Sequence, residues 1–258
     1  MARTVVLIKR GMFALFRCVF RSSQPEQRLG SVFAQLYGRY LEEPRRGSML
    51  AVRYPMATTS SYYLHIHQTN DAYKANNWLV SEIEAILSIS PKSVLEVGCG
   101  NGRFLAAIRE RVDRVIGVDW ARSPVIDELG VSVDFEMRDI TCDDLPEADL
   151  VCSADVLEHI APNLLRPTLK RLHRAGRDQY HVIACYDDGH SHLSIMEPRA
   201  WLDEFRSVSH RYRIIDIRPR RDDPAQVICV IATFEPKARP TADLGEQATP
   251  VLPSARAR

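Results

Sequence analysis

Two short runs hold the residues best placed to do chemistry. In Leu95-Glu96-Val97-Gly98-Cys99-Gly100-Asn101-Gly102, three glycines alternate directly after an apolar stretch. A second apolar stretch, Val115-Ile116-Gly117-Val118-Asp119, ends in an acid. Glycines in such a turn let backbone N–H groups approach a ligand more closely than a Cβ would allow. A carboxylate at the tip of the next strand can accept hydrogen bonds from both hydroxyls of a ribose. An apolar strand, a glycine turn, a helix and a second strand ending in an acid form the layout of a nucleoside-binding α/β unit.

The spacing narrows the nucleoside. A dinucleotide fingerprint needs G-x-G-x-x-G/A, whose last small residue packs helix on strand. Here Gly98, Gly100 and Gly102 make G-x-G-x-G, and Arg103 occupies the position that must be small. With Glu96 two residues before the first glycine, the run resembles the first motif of class I S-adenosylmethionine-dependent methyltransferases. The resemblance implies that Glu96, Gly98, Cys99, Gly100, Asn101 and Gly102 wrap the methionine end of S-adenosylmethionine. It also implies that Asp119 binds the ribose and that Trp120 lies against adenine. In Phe135-Glu136-Met137-Arg138-Asp139-Ile140, the Asp139 and Ile140 pair resembles the family's adenine-binding acid and its apolar follower. The stretch from Ala148 to Ile160 resembles the strand beneath the cofactor, with Ala154 and Asp155 at its end. Its Asp155-Val156-Leu157-Glu158-His159 run is similar to the D-x-L-E-H of the small-molecule branch.

Methyl transfer from a sulfonium needs in-line alignment and, for a hydroxyl acceptor, removal of a proton. His159 is a candidate base, although a histidine there serves equally to shape the pocket or cap the following helix. In Tyr186-Asp187-Asp188-Gly189-His190-Ser191-His192, the residues His190 and His192 are further candidates, and Tyr186 is a candidate acceptor contact. The bland alternative is a polar surface loop. No metal is expected, because a catechol-type metal site would draw acids from several strand ends and that pattern is not evident. Upstream, Tyr63, His65 and Tyr73 belong to an aromatic- and histidine-rich stretch expected to form a lid over the acceptor. In His65-Ile66-His67, an extended backbone would place both imidazoles on one strand face.

Bulk properties limit the partners. Lys and Arg number 34 against 33 Asp and Glu, so no net field attracts nucleic acid or an anionic membrane. Only five of the 34 are Lys, and the Arg residues are scattered and not gathered into a stripe. The six cysteines show neither C-x-x-C pairing nor zinc spacing, which favours a reducing cytoplasm. No uninterrupted apolar run approaches the roughly 20 residues of a membrane helix. Apolar runs at 4–8 and 12–16 are split by Lys9-Arg10-Gly11, unlike a signal peptide. They leave an amphipathic surface helix, a disordered arm or a start at Met49 or Met56 as readings of residues 1–50.

The rest of the chain supplies the scaffold. Strands are predicted at 93–97, 114–119, 133–138, 149–154, 180–185, 212–217 and 226–234. Helices are predicted at 102–111, 123–129, 160–175 and 198–207. Asn70-Asp71 predicts a further helix start, with Trp78, Leu79, Ile83, Ile86 and Leu87 on its apolar face. Alternation of strands and helices means a doubly wound, mostly parallel sheet. The short Arg221-Asp222-Asp223-Pro224 link lets the last of the seven strands run antiparallel. The expected organisation is an N-terminal extension (1–50), a helical lid (51–91), a methyltransferase domain (92–236) and a disordered tail (237–258).

The function expected is methyl transfer to a small-molecule or glycan-type acceptor, most readily at oxygen, by a chain with no membrane span. Oligomeric state is not legible. Alternatives within the fold are a protein or RNA methyltransferase and a non-catalytic S-adenosylmethionine-binding partner subunit. A nicotinamide-dependent oxidoreductase is disfavoured by Arg103.

Overall fold

A computed structural model describes residues 59–129, 133–189, 191–220 and 223–237. The predicted extension at 1–50, nearly all of the predicted tail, and His190 lie outside the described residues.

Seven strands form one sheet in the order β3-β2-β1-β4-β5-β7-β6. They are β1 (Ser93–Val97), β2 (Arg114–Asp119), β3 (Asp134–Met137), β4 (Ala148–Ala154), β5 (Gly176–Ala184), β6 (Arg213–Arg220) and β7 (Asp223–Ala232). Pairings from β3 through β5 are parallel, and β7 runs antiparallel to both β5 and β6. The predicted class I methyltransferase architecture, with its reversed last strand, is the one observed.

Both faces of the sheet are covered, which is why its central strands read as nearly continuous apolar runs. Leu95, Val97, Ile116, Val118, Val151 and Ile183 share a core with Leu165, Leu169 and Leu172 of α6 (Pro162–Ala175) and with Trp201 and Phe205 of α7 (Pro198–Arg206). The alternate residues Val94, Val115, Leu150, Cys152 and Val230 pack on the other face. There they meet Phe104, Leu105 and Ile108 of α4 (Arg103–Ile108) and Ile126 of α5 (Pro124–Glu128), along with Leu79 and Ile86.

The segment before β1 is helical, as expected, but differs from expectation in two details. Tyr62 through His67 are helical, within α1 (Ser60–Thr69), where the Thr59 hydroxyl accepts from the Tyr62 amide at 3.2 Å. On a helix, residues two apart face nearly opposite ways. His65 is exposed and His67 is buried, so the two imidazoles do not share a face. The helix predicted from Asn70 is also broken. Asn70 caps α2 (Asp71–Ala75), but Asn77 then caps a separate 3₁₀ turn, Trp78–Glu82, which leads into α3 (Ile83–Leu87). Asn side chains compete for backbone amides, and here two of them divide one apolar pattern into short pieces.

β5 starts four residues before its predicted position. Gly176 allows the hand-over from α6, since a Cβ there would stand 2.7 Å from Val151 Cγ2 and 3.1 Å from the Ala148 carbonyl. Its next residues are polar but satisfied. The Gln179 amide donates to the Leu172 and Gly176 carbonyls, and fully buried His181 lies between Ser153 Oγ (2.8 Å) and Gln179 Oε1 (3.1 Å).

Burial pushes the His181 imidazole from its ordinary 6.5 down to about 3. Below about 6.5 the unfolded chain therefore takes up a proton that the fold refuses, so this contribution is complete above 6.5 and declines as pH falls. Between 6.5 and 5 the loss is on the order of 2 kcal/mol. Urea unfolding of the wild type should weaken over that interval more steeply than that of His181→Asn, which cannot charge. Equal slopes would overturn the assignment.

Candidate active site

The site is built where β1 and β2 end side by side. Gly98, Gly100 and Gly102 have φ of +65°, +53° and +71°, conformations that suit glycine. The Gly98 and Cys99 amides donate to the Val118 carbonyl at 2.8 and 3.2 Å. The Gly100 amide donates to Asp119 Oδ2 at 2.9 Å, and the Ala121 amide to Asp119 Oδ1 at 3.2 Å. Burial raises the Asp119 pKa, against the opposing effect of the Gly100 hydrogen bond and of His67.

Among the expected cofactor residues, Cys99 contributes backbone alone, because its thiol is buried beneath the loop. A Cβ on Gly117 would lie 2.9 Å from that sulfur and 2.7 Å from Leu105 Cδ1, so Gly117 is a loop-packing residue that the motif reading passed over. Glu96 is buried, with Oε1 accepting from Asn77 Nδ2 at 3.1 Å and Oε2 without a partner among the described residues. Burial pushes its pKa well above the usual carboxylate range. An orphaned carboxylate oxygen two residues before the glycine loop, close to a strand-end acid, fits a ligand carrying donor groups and a ribose. Asp139 Oδ1 accepts from the Thr141 amide (2.9 Å) and hydroxyl (2.6 Å), while Ile140 is part of the core.

Asn101 has a structural role that the motif does not signal. Its buried side chain donates to the carbonyls of Tyr73 (2.9 Å), Lys74 (3.3 Å) and Asn76 (2.7 Å), and its oxygen accepts from the Arg103 amide at 3.1 Å. Arg103 Nε adds a bond to the Lys74 carbonyl at 2.8 Å. Asn101 and Arg103 thus tie the glycine loop to the lid. His67 lies over the same loop, since a Cβ on Gly100 would be 3.7 Å from its Cε1. Burial lowers the His67 pKa, and Asp119 opposes that shift.

Of the expected acceptor contacts, Tyr63 is well placed. Its ring centroid is 6.3 Å from that of Trp120 and 6.2 Å from that of His159, so it spans the two halves of the site. Tyr73 lies 5.9 Å from the His67 ring; the residue is part-exposed, and partial burial of its hydroxyl, helped by nearby acids, pushes that group up to about 12. Tyr186 accepts from Arg220 through its hydroxyl and from His192 through its carbonyl. Exposed His65 is not brought to the others.

The far side of the site is made by the ends of β4 and β5. Asp155, after Ala154, has φ +54° and pairs with Arg220, whose guanidinium lies 4.2 Å from the centre of the Trp78 ring. Sequence reading missed Arg220 and assigned Trp78 to core. Glu158 is fully buried; Oε1 accepts from the Ala184 amide at 3.2 Å, and its carbonyl accepts from the Leu193 (2.7 Å) and Ser194 (2.9 Å) amides. These bonds fold the segment after β5 back onto the 3₁₀ turn Leu157–His159. His159 and His192 therefore meet, with ring centroids 5.0 Å apart. Burial and the neighbouring His192 push His159 down to about 4. Ligand-capable atoms of Glu158, His159 and His192 all lie within 4.8 Å of one another.

A family profile described as a methyltransferase domain matches residues 67–222. The chain belongs to that family. The class I methyltransferase expected from the motifs, with S-adenosylmethionine as its cofactor, agrees with this membership. Among curated methyltransferases, the chain is 34% identical over 93 residues to a ubiquinone biosynthesis O-methyltransferase of Pseudomonas entomophila (strain L48). That match takes in 33% of this chain and only 38% of the relative's length. Two solved methyltransferase structures share the fold. One, from Burkholderia thailandensis, is a 1,6-didemethyltoxoflavin-N1-methyltransferase with TM-score 0.53 and 18% identity, covering 67% of this chain and 85% of its own. The other, a Nostoc punctiforme PCC 73102 protein described as a putative O-methyltransferase, has TM-score 0.53 and 14% identity, covering 81% and 69%.

Removing the Asn101 amide takes the side-chain donor from the part-buried carbonyls of Tyr73 and Asn76, while the Lys74 carbonyl keeps Arg103 Nε. Asn101→Ala should cost about 2 kcal/mol of stability. It should also speed amide hydrogen exchange across 73–77 more than across β4. Exchange unchanged in 73–77 would show that the lid is held by other contacts.

Proposed function

We propose that the chain is an S-adenosylmethionine-dependent methyltransferase whose acceptor is a small molecule, metabolite or glycan-type, methylated at oxygen. The observation that carries this reading is the division of one sheet end into two halves. On one side lie the glycine loop, orphaned Glu96 and Asp119, and on the other the histidine pair, with Tyr63 against both. The names of the curated relatives, O-methyltransferases, support oxygen as the acceptor atom.

Glu96, Asp119 and the loop amides would hold the donor, with Asp139 and Trp120 toward its adenine. When bound, S-adenosylmethionine supplies an electrophilic methyl carbon. The chain's own residues must then align the acceptor and manage its proton. His159 keeps a neutral ring at working pH and donates Nδ1–H to the Ser191 carbonyl at 3.1 Å, leaving Nε2 as the lone-pair nitrogen. His192 donates Nδ1–H to the Tyr186 carbonyl at 2.6 Å and is oriented in the same way. Tyr63 and Tyr186 would form apolar walls with polar tips, suited to a ring-bearing acceptor.

The domain division belongs to the same reading, with 92–236 as the methyltransferase domain and 51–91 as its lid. Among the described residues no helix is long and apolar enough to cross a membrane. Free Cys99, Cys142, Cys152, Cys185 and Cys229 support residence in a reducing cytoplasm.

Calorimetric titration with S-adenosylhomocysteine and with NAD tests the donor. S-adenosylhomocysteine should bind and NAD should not, and Asp119→Ala should weaken the former at least about tenfold, some 1.4 kcal/mol. Undiminished affinity in a folded Asp119→Ala protein would remove the ribose assignment. Transfer of labelled methyl to phenol, catechol and sugar panels then tests the acceptor class, and transfer only to nitrogen acceptors would overturn oxygen.

A further inference from the structure

We propose that Glu158, His159 and His192 form a divalent-cation site on the acceptor side of the sheet, open for the acceptor's oxygen. The cation site stands on its own geometry, and only its use in methyl transfer rests on the functional reading above.

The hydrogen bonds decide what each group offers. A backbone carbonyl only accepts, so the Nδ1 atoms facing Ser191 and Tyr186 must carry the protons. Each imidazole is then left with a bare lone pair on Nε2. A histidine whose Nδ1–H is fixed by a backbone carbonyl while Nε2 points elsewhere is the arrangement that orients imidazoles toward metals. Glu158 is fully buried, and its Oε2 has no partner among the described residues. His192 Nε2 lies 4.0 Å from Glu158 Oε1 and 3.9 Å from Asp188 Oδ2, too far for hydrogen bonds. The two imidazoles and the Glu158 carboxyl group thus meet in one cluster. The guanidinium of nearby Arg220 is engaged by Asp155 and Tyr186.

The spacing suits one ion. Bonds of about 2.1 Å place neighbouring ligands roughly 3–4 Å apart around a metal, and the three groups lie within 4.8 Å of one another. Two imidazoles and a carboxylate select Zn²⁺, Mn²⁺, Fe²⁺ or Co²⁺ over Ca²⁺. Three protein ligands leave positions open, as catalytic sites require. An acceptor hydroxyl bound there would be acidified by the cation and lose its proton to solvent. Its oxygen would form the bond to the methyl carbon as the carbon–sulfur bond breaks, releasing a neutral thioether. An acceptor with two adjacent oxygens, a catechol or vicinal diol, would fill two open positions.

Chelator-treated full-length protein should bind one Mn²⁺ per chain in calorimetry, with the loss of free-ion signal in electron paramagnetic resonance. Co²⁺ should give a visible spectrum of nitrogen ligation. Mn²⁺ should also raise the thermal midpoint of the wild type. His192→Ala and Glu158→Gln should each weaken Mn²⁺ binding at least tenfold while keeping S-adenosylhomocysteine affinity. Asp119→Ala should do the reverse. If one variant fails to fold, the other and the Co²⁺ spectrum of the wild type decide. Failure of the wild type to bind Mn²⁺, Co²⁺ or Zn²⁺ at millimolar concentration overturns the site, as does binding indifferent to the folded variants. Metal binding without S-adenosylhomocysteine binding would instead sink the methyltransferase reading and leave the cation site standing.

Discussion

The parallel register of β1 against β2 sets Val97 opposite Val118, so the chain leaving β1 emerges beside the end of β2. From there the Val118 carbonyl and the Asp119 carboxylate capture three successive amides of the glycine loop. A loop of left-handed residues has no ladder of its own, and without those two acceptors its amides would be left unpaired at a half-buried strand end. The path of the glycine loop, the start of α4 and the attachment of residues 73–76 all follow from that capture. The same carboxylate that would hold a ribose already holds the loop, so binding and local architecture share one residue.

Features governed by local chain chemistry were legible in the sequence. Apolar runs bounded by turns gave the strands, and the glycine spacing gave the loop. What escaped were residues whose partners lie far along the chain. Asn101 looks like one more loop residue until three lid carbonyls converge on it. Gly117 looks like a weak point in a strand until Cys99 and Leu105 are seen to crowd it. The start of β5 was hidden because Asp178, Gln179 and His181 read as polar, whereas each is buried and bonded.

The far side of the site, at the ends of β4 and β5, was legible only in pieces. His159 and His192 were separate candidates, one in a strand-end motif and one in a polar loop. Their union depends on the Glu158 carbonyl drawing in the Leu193 and Ser194 amides, a pairing of backbone groups that side-chain identity does not signal. The lid histidines were misjudged for a simpler reason. Four apolar or aromatic residues around two polar ones fit an extended strand or a helix, and the Thr59 cap decides in favour of the helix.

The bond set of Asn101 and Arg103 also bears on how such a chain can change over time. The backbone at 73–76 is addressed directly by two side chains from the end of the glycine loop. The lid is therefore not an interchangeable module. Any lineage that replaces it must either preserve the path of those carbonyls or alter positions 101 and 103 in the same step, and position 101 lies inside the donor motif itself. Substitutions in the segment after β5, by contrast, leave those bonds untouched.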